Sequence, residues 1–135
     1  MNERRDLPED LHRLYENAVY EAELETGIVI FRVGHAPEGA LPSGSFAILT
    51  ACDPGRARPG DRANRVANKR LADEIERFGY AHRPANGRSE DGVHVEPSFA
   101  IPGIAEFAAV ALAKRFNQTA VFYWDGAEAC ILYCG

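Results

Sequence analysis

Three helix-length segments divide the chain, and short strand-like segments fill the intervals between them. Apolar residues recur every three or four positions over Leu7–Val19, Arg62–Phe78 and Ile104–Phe116, which predicts three helices. The last two strand-like segments flank Asp125-Gly126, a favoured pair for a two-residue hairpin turn. Hairpins separated by helices are typical of an antiparallel sheet with helices packed on it. The pattern α-ββ-α-ββ-α-ββ therefore predicts an α+β fold with a mostly antiparallel or mixed sheet of about six strands.

The boundaries of these elements follow from turn and capping residues. Loops rich in Gly, Pro or polar residues are expected over 34–45 and 86–92, and Asp61 is the expected N-cap of the second helix. The third helix carries apolar or Ala residues on almost every side, so it should be sandwiched or form a homodimer contact. The strand-like segments are Tyr20–Val33 (a hairpin), Phe46–Cys52, Tyr80–Pro84, Val93–Ile101, Thr119–Trp124 and Ala127–Tyr133.

Size and composition fit one soluble domain over residues 1–135. Of the 135 residues 46% are hydrophobic, enough to bury a core, and the apolar runs are too short to cross a bilayer. The N-terminus is charged rather than signal-like, so we expect a cytoplasmic protein without a membrane partner. There is no Cys-x-x-Cys pair and no helical pair of histidines, which predicts no metal site and no cofactor. The three cysteines and four histidines are interpreted as ordinary structural residues.

Basic residues are concentrated in one segment although the net charge is −5. Between Asp53 and Arg70 there are six basic residues against two acidic ones. Such a stretch can face an anion, but it lacks the interleaved aromatic residues of a sequence-specific nucleic-acid surface. The sequence therefore does not favour nucleic acid as a partner, and an ordinary solvated helix face explains the charge.

Two asparagines face inward on the second helix. Asn64 and Asn68 fall on the same stripe as Leu71 and Ile75 at the helical repeat. A buried amide without partners costs about 1–3 kcal/mol, so each must have hydrogen-bond partners. Either they tie the preceding strand and loop to the helix, or they line a pocket beside the helix N-terminus, where an anion is favoured.

Polar residues on other segments could complete such a pocket. Thr50 and Asp53 end the strand that leads into the second helix. Alternation in the strand around Glu96 places His94, Glu96 and Ser98 on one face, opposite Phe99 and Ile101. If that face meets the asparagines, Glu96 is the natural proton acceptor; otherwise it is a solvent-facing strand side. Two further candidates are Arg88, suited to carboxylate or phosphate, and Gln118, which has no local capping role.

One pattern of residues runs through the middle and C-terminal parts of the chain. It consists of Thr50-Ala51 with Pro54, Asn64, Asn68-x-x-Leu71, Gly79-Tyr80, Gly87, Glu96-x-Ser98-Phe99 and Phe116-x-Gln118-x-Ala120-Val121-Phe122. Over roughly Phe46–Trp124 it resembles the pattern of a bacterial family known as domain of unknown function 3293. Two positions depart from the family pattern: Asp53 stands where Asn is usual, and Asn117 where Gly is usual. The name implies no activity.

Two hypotheses from different classes remain open. In the first, a small polar or anionic molecule, such as a nucleotide-like ligand, binds beside the second helix, and Glu96 acts as a general base if there is catalysis. In the second, the same residues are structural and the protein is a non-catalytic interaction module, with a homodimer as one form. The proposed ligand-binding residues are Thr50, Asp53, Asn64, Asn68, Arg88, Ser98 and Gln118.

Overall fold

A computed structural model describes residues 9–53 and 58–134. It is an α+β fold, with one eight-stranded antiparallel sheet and three helices. The elements are α1 (Glu9–Asn17), β1 (Val19–Leu24), β2 (Gly27–Phe31), β3 (Glu38–Gly39), β4 (Phe46–Leu49), α2 (Asp61–Arg77), β5 (Arg83–Arg88), β6 (Val95–Pro102), α3 (Glu106–Arg115), β7 (Ala120–Trp124) and β8 (Ala129–Tyr133).

The sheet curls into a half-barrel, and its inner face is aromatic. The strand order is β3-β2-β1-β5-β6-β4-β7-β8, so β1 and β7 are separated by three strands. The rings of Tyr20 on β1 and Phe122 on β7 nevertheless stack with their centroids 4.5 Å apart. Phe31 on β2 also reaches Phe122, at 5.3 Å. These contacts across the sheet require strong curvature, and burial of the rings stabilises it.

Helices α2 and α3 cover the outer face of the sheet. Leu71 and Ile75 of α2 and Leu112 of α3 belong to one buried cluster with Leu49 and Ile101 of the sheet. The stripe predicted for the second helix is therefore confirmed. The third helix is buried on one side only, and its Phe107 is 81% exposed. The sandwiched position expected for this helix is wrong, while the homodimer contact stays a prediction.

The sheet has eight strands rather than about six, and four of them lie between α1 and α2, where the sequence predicted the hairpin Tyr20–Val33 and the strand Phe46–Cys52. One of them, β3, falls within the segment expected to be a loop. Gly39 permits this pairing, since a Cβ there would collide with the backbone of Ile28. The expected loop at 86–92 is also wrong in part, because Asn86–Arg88 belong to β5 and pair with both β1 and β6. Pairing on both sides outweighs their turn propensity.

The helix boundaries differ slightly from those expected. Asp61 is the first residue of α2 rather than its N-cap; Gly60 occupies the cap and supplies no side-chain bond. The start of the first helix at Leu7, and Pro54 and Gly55 of the expected turn after β4, lie outside the described residues. In the described part of the chain, no helix is long and apolar enough to cross a membrane.

The final hairpin is confirmed, with its turn moved by one residue. Strands β7 and β8 pair antiparallel from Ala120 with Tyr133 to Trp124 with Ala129. The loop has four residues, and the Asp125 N–H donates to the carbonyl of Glu128. The Asp125 carboxylate accepts N–H bonds from Ala127 and Glu128 at 2.8 and 2.7 Å. Gly126 and Ala127 are therefore the central residues of the loop.

Candidate functional site

A pocket of about 330 Å³ opens on the inner face of the sheet. Its floor is apolar and includes Tyr20, Ile48 and Phe122, while Leu14 and Ala18 lie at its α1 side. Polar groups from the segment after β4, from β5 and β6, and from the segment after α3 line the rest of it. Its size is at the small end of the range usual for small-molecule sites.

Asp53, His94 and Glu96 form the polar end of this pocket. The Nε2 atom of His94 lies 3.2 Å from Oε2 of Glu96 and 3.7 Å from Oδ2 of Asp53. His94, Glu96 and Ser98 all line the pocket, whereas Phe99 and Ile101 pack with the helices. The alternation predicted for this strand is therefore confirmed, and its polar face points into the pocket rather than to open solvent.

Asn64 holds Asp53 in position. The side-chain carbonyl of Asn64 accepts the Asp53 N–H at 2.9 Å, and its Nδ2 donates to Oδ1 of Asp53 at 2.9 Å. Asp53 has a left-handed backbone with φ of 46°, an uncommon conformation for a residue other than glycine. The two hydrogen bonds from Asn64 stabilise this conformation. Oδ2 of the same carboxylate is left directed towards His94.

Asn68 joins the end of β4 to β6. Its Oδ1 accepts the Ala51 N–H at 2.8 Å, and its Nδ2 donates to the carbonyl of Pro97 at 2.9 Å. The hydroxyl of Thr50 donates to the same carbonyl at 2.8 Å. Both inward amides therefore have the hydrogen-bond partners that their burial requires. This geometry favours the tying role over direct contact with a ligand for Asn64 and Asn68.

The remaining predicted residues line the pocket with defined partners. Ser98 donates to the carbonyl of Glu96 at 3.0 Å, and Gln118 donates to the carbonyl of Cys52 at 3.0 Å. Arg88 donates through Nη1 to Oε1 of Glu21 at 2.9 Å. Asn64 and Asn68 lie behind the polar end of the pocket. The other six of the eight predicted residues line it: Thr50, Asp53, Arg88, Glu96, Ser98 and Gln118.

Sequence reasoning missed three contributors to the pocket. His94 was interpreted as an ordinary structural residue, although its place on the same strand face as Glu96 was a usable signal. Arg58 lines the pocket from an exposed position before α2, and no local pattern marks it. Tyr20 lies on β1, whose approach to β7 depends on the curvature of the sheet.

Cys52 also lines the pocket, but its environment is that of a structural thiol. It is 3% exposed, and its Sγ lies 3.7 Å from the carbonyl of Pro97. Burial raises the pKa of the Cys52 thiol above its ordinary value. Because the thiolate is the nucleophilic form, this environment does not favour nucleophilic catalysis by Cys52.

Burial also raises the pKa of the Glu96 carboxyl, with the imidazole of His94 opposing the shift and Asp53 adding to it. The folded state therefore binds the Glu96 proton more tightly than the unfolded state does. As pH rises above about 4.5, the ordinary value for Glu, this group should lower the free energy of unfolding. Glu96→Gln should remove that part of the pH dependence. Urea unfolding of both proteins across pH 4–8 tests it, and identical pH profiles would contradict it.

A family model described as "Protein of unknown function (DUF3293)" matches residues 49–121, just over half of the chain. The matched span contains all eight predicted site residues and the whole Asp53–His94–Glu96 cluster. Tyr20 and Phe122, which form part of the pocket floor, lie outside it. No curated protein and no solved structure matches the chain. From the extent of the family match, the chain belongs to the DUF3293 family of proteins of unknown function.

Proposed function

We propose that this protein binds a small polar organic molecule in the inner pocket, with Glu96 as an acid–base group beside it. The observation that carries the proposal is the pocket itself. In it, polar side chains from separate segments of the chain meet above an apolar floor. A concave, largely apolar site with a few convergent polar groups is the usual form of a small-molecule site.

The polar end favours a ligand that carries a hydroxyl or amine group. The carboxylates of Asp53 and Glu96 accept hydrogen bonds, and His94 can donate or accept a proton between them. The raised pKa of Glu96 brings its titration closer to neutral pH, where a general acid or base is most effective. The geometry therefore supports proton transfer to or from the bound group as the chemistry of this site.

The floor favours a flat or apolar portion on the same ligand. Tyr20 and Phe122 present a stacked pair of rings, with Ile48 beside them. The Tyr20 hydroxyl donates to the carbonyl of Tyr15 at 3.1 Å, and burial raises its pKa, so the ring remains neutral. An uncharged aromatic surface contributes binding through apolar burial and stacking.

Two arginines would accept an anionic group on the ligand. Among the described residues, Arg88 bonds to Glu21 and Asn86 through Nη1, so its other N–H groups suit a carboxylate or phosphate. Arg58 also lines the pocket and lowers the pKa of Glu96 by its charge. A nucleotide-like or other phosphorylated small molecule therefore remains within the proposed ligand class.

A melting-shift screen of hydroxy acids, amino acids, sugar phosphates and nucleotides tests the proposal. A ligand at about 100 times its dissociation constant stabilises the folded state by about 2.7 kcal/mol, which raises the melting temperature by several degrees. We expect at least one compound class to shift the wild type, and Glu96→Gln to reduce the shift. Glu76→Gln is the matched control, because Glu76 pairs with His82 away from the pocket.

Two results would count against this function. The first is a screen in which no compound class shifts the wild type. The second is a shift that survives equally in Glu96→Gln and in Arg88→Ala, because the ligand would then bind elsewhere on the protein. Either result would favour the alternative hypothesis, that the protein is a non-catalytic interaction module.

A further inference from the structure

We infer that Asp53, His94 and Glu96 form a binding site for one divalent transition-metal ion at the polar end of the inner pocket. The inference goes beyond the proposed function, since the ion can bind without an organic ligand, and with the ion bound Glu96 would be a ligand and not the acid–base group. It also differs from the expectation drawn from the sequence, which lacks the paired Cys or His motifs of common zinc sites. The three ligands come instead from two distant segments that meet only in the fold.

The positions of the ligand atoms carry the inference. One atom from each side chain lies within 4.8 Å of the others. Nε2 of His94 lies 3.2 Å from Oε2 of Glu96 and 3.7 Å from Oδ2 of Asp53. Ligand atoms about 2.1 Å from a tetrahedral ion lie roughly 3.4 Å from one another. Small side-chain rotations therefore bring all three atoms into coordination.

The surroundings favour an ion with positions open to a substrate. The three side chains face a cavity of about 330 Å³, so further coordination positions can take water or an organic group. Asp53 and Glu96 are half-buried, with 17% and 28% of their side chains exposed, whereas His94 is exposed at 45%. Two half-buried carboxylates thus converge on one imidazole nitrogen, and a bound cation would balance their charge.

Hydrogen bonds hold two of the three ligand residues, Asp53 and His94, in position. Asn64 donates to Oδ1 of Asp53 and leaves Oδ2 on the side of His94. The backbone of His94 is fixed by Ser89, which accepts its N–H at 3.0 Å and donates to its carbonyl at 2.9 Å. Outer contacts of this kind orient metal ligands in known sites. Asn64 is therefore a positioning residue for the ion.

The donor set indicates which ions fit. One imidazole and two carboxylates suit Zn²⁺, Mn²⁺, Fe²⁺ or Co²⁺ better than Ca²⁺, which prefers six or more oxygens. Without an ion, a protonated His94 between the two carboxylates would account for the same distances. Titration with metal separates the two cases.

The test begins with protein freed of metal by a chelator, followed by calorimetric titration with Mn²⁺ and Zn²⁺ and absorption spectra with Co²⁺. We expect one ion per chain. His94→Ala and Asp53→Asn should abolish binding, and Asn64→Ala should weaken it by about 10–100-fold. Asn can retain the hydrogen bonds to Asn64, so Asp53→Asn should stay folded. His82→Ala is the matched control, since His82 also pairs with a glutamate but lies away from the pocket.

Three results would overturn the inference: no binding of any of the three ions, binding unchanged in His94→Ala, or an intense thiolate charge-transfer band with Co²⁺. The last would place the ion on a cysteine. The outcome is distinct from that of the ligand screen. An organic ligand that binds equally with chelator present, in a protein that takes no Mn²⁺, overturns the metal site and leaves the proposed function. Mn²⁺ binding that depends on His94, in a protein that no compound of the screen stabilises, supports the metal site and counts against the proposed function.

Discussion

Phe122→Ala should lower the free energy of unfolding by about 3–5 kcal/mol, the range typical of a fully buried aromatic ring. Phe122 is 2% exposed and contacts the rings of Tyr20, Phe31 and Phe46 at 4.5, 5.3 and 6.3 Å. Tyr20 and Phe31 lie on β1 and β2, which are not neighbours of β7 in the sheet, so the cavity would weaken the curl as well as the packing. Urea unfolding of the variant beside the wild type measures the effect.

Phe107→Ala is the control for this substitution. It removes the same side chain from α3, where the ring is 81% exposed, and should change the free energy of unfolding by no more than about 0.5 kcal/mol. Equal losses for the two variants would contradict the assigned core. Phe122 also lines the pocket, so a folded Phe122→Leu variant should bind any ligand found in the screen less tightly.

Asn68→Ala should lower the free energy of unfolding by about 1–3 kcal/mol, because it leaves the buried N–H of Ala51 without its acceptor. The carbonyl of Pro97 also loses a donor, but it keeps the hydroxyl of Thr50. The loss therefore comes mainly from one unsatisfied backbone group and the detachment of β4 from α2. Thermal or urea unfolding reports it directly.

Two further variants define what Asn68 does. Lys69→Ala, on the exposed side of the same turn of α2, should change the free energy of unfolding by no more than about 0.5 kcal/mol. Asn68→Asp keeps an acceptor for the Ala51 N–H but loses the donor to Pro97, so it should also be destabilised. If Asn68→Ala melts like the wild type and loses only ligand binding, then Asn68 faces the ligand and its assigned structural role is wrong.

Local signals in the sequence predicted most elements of the fold. Helical periodicity located α2 and α3, and turn residues located the final hairpin, because both depend on residues close together in the chain. Strand β5 was misjudged at Asn86–Arg88, since its strand state comes from pairing with β1 and β6 on both sides. No local pattern contains that information.

About as much of the candidate site as of the fold could be predicted from the sequence. Helix phase showed that Asn64 and Asn68 point inward, and strand alternation grouped Glu96 with Ser98. Their hydrogen-bond partners could not be predicted, because the amides could equally have served the backbone or a ligand. The contribution of Tyr20 depends on curvature, which arises only when the whole inner face packs.

The order of the strands also has a consequence for synthesis of the chain. Hairpin β1–β2 is made early, but its neighbour β5 follows about 60 residues later, and β4 lies between two strands that are both made after it. Until β6 and β7 leave the ribosome, Val29 and Phe31 lack Ala100, Phe122 and Trp124 of their buried cluster. Pairing over such separations is slow and leaves apolar strands open to aggregation. Nascent chains that stop before β7 should therefore depend on chaperones far more than the finished protein does.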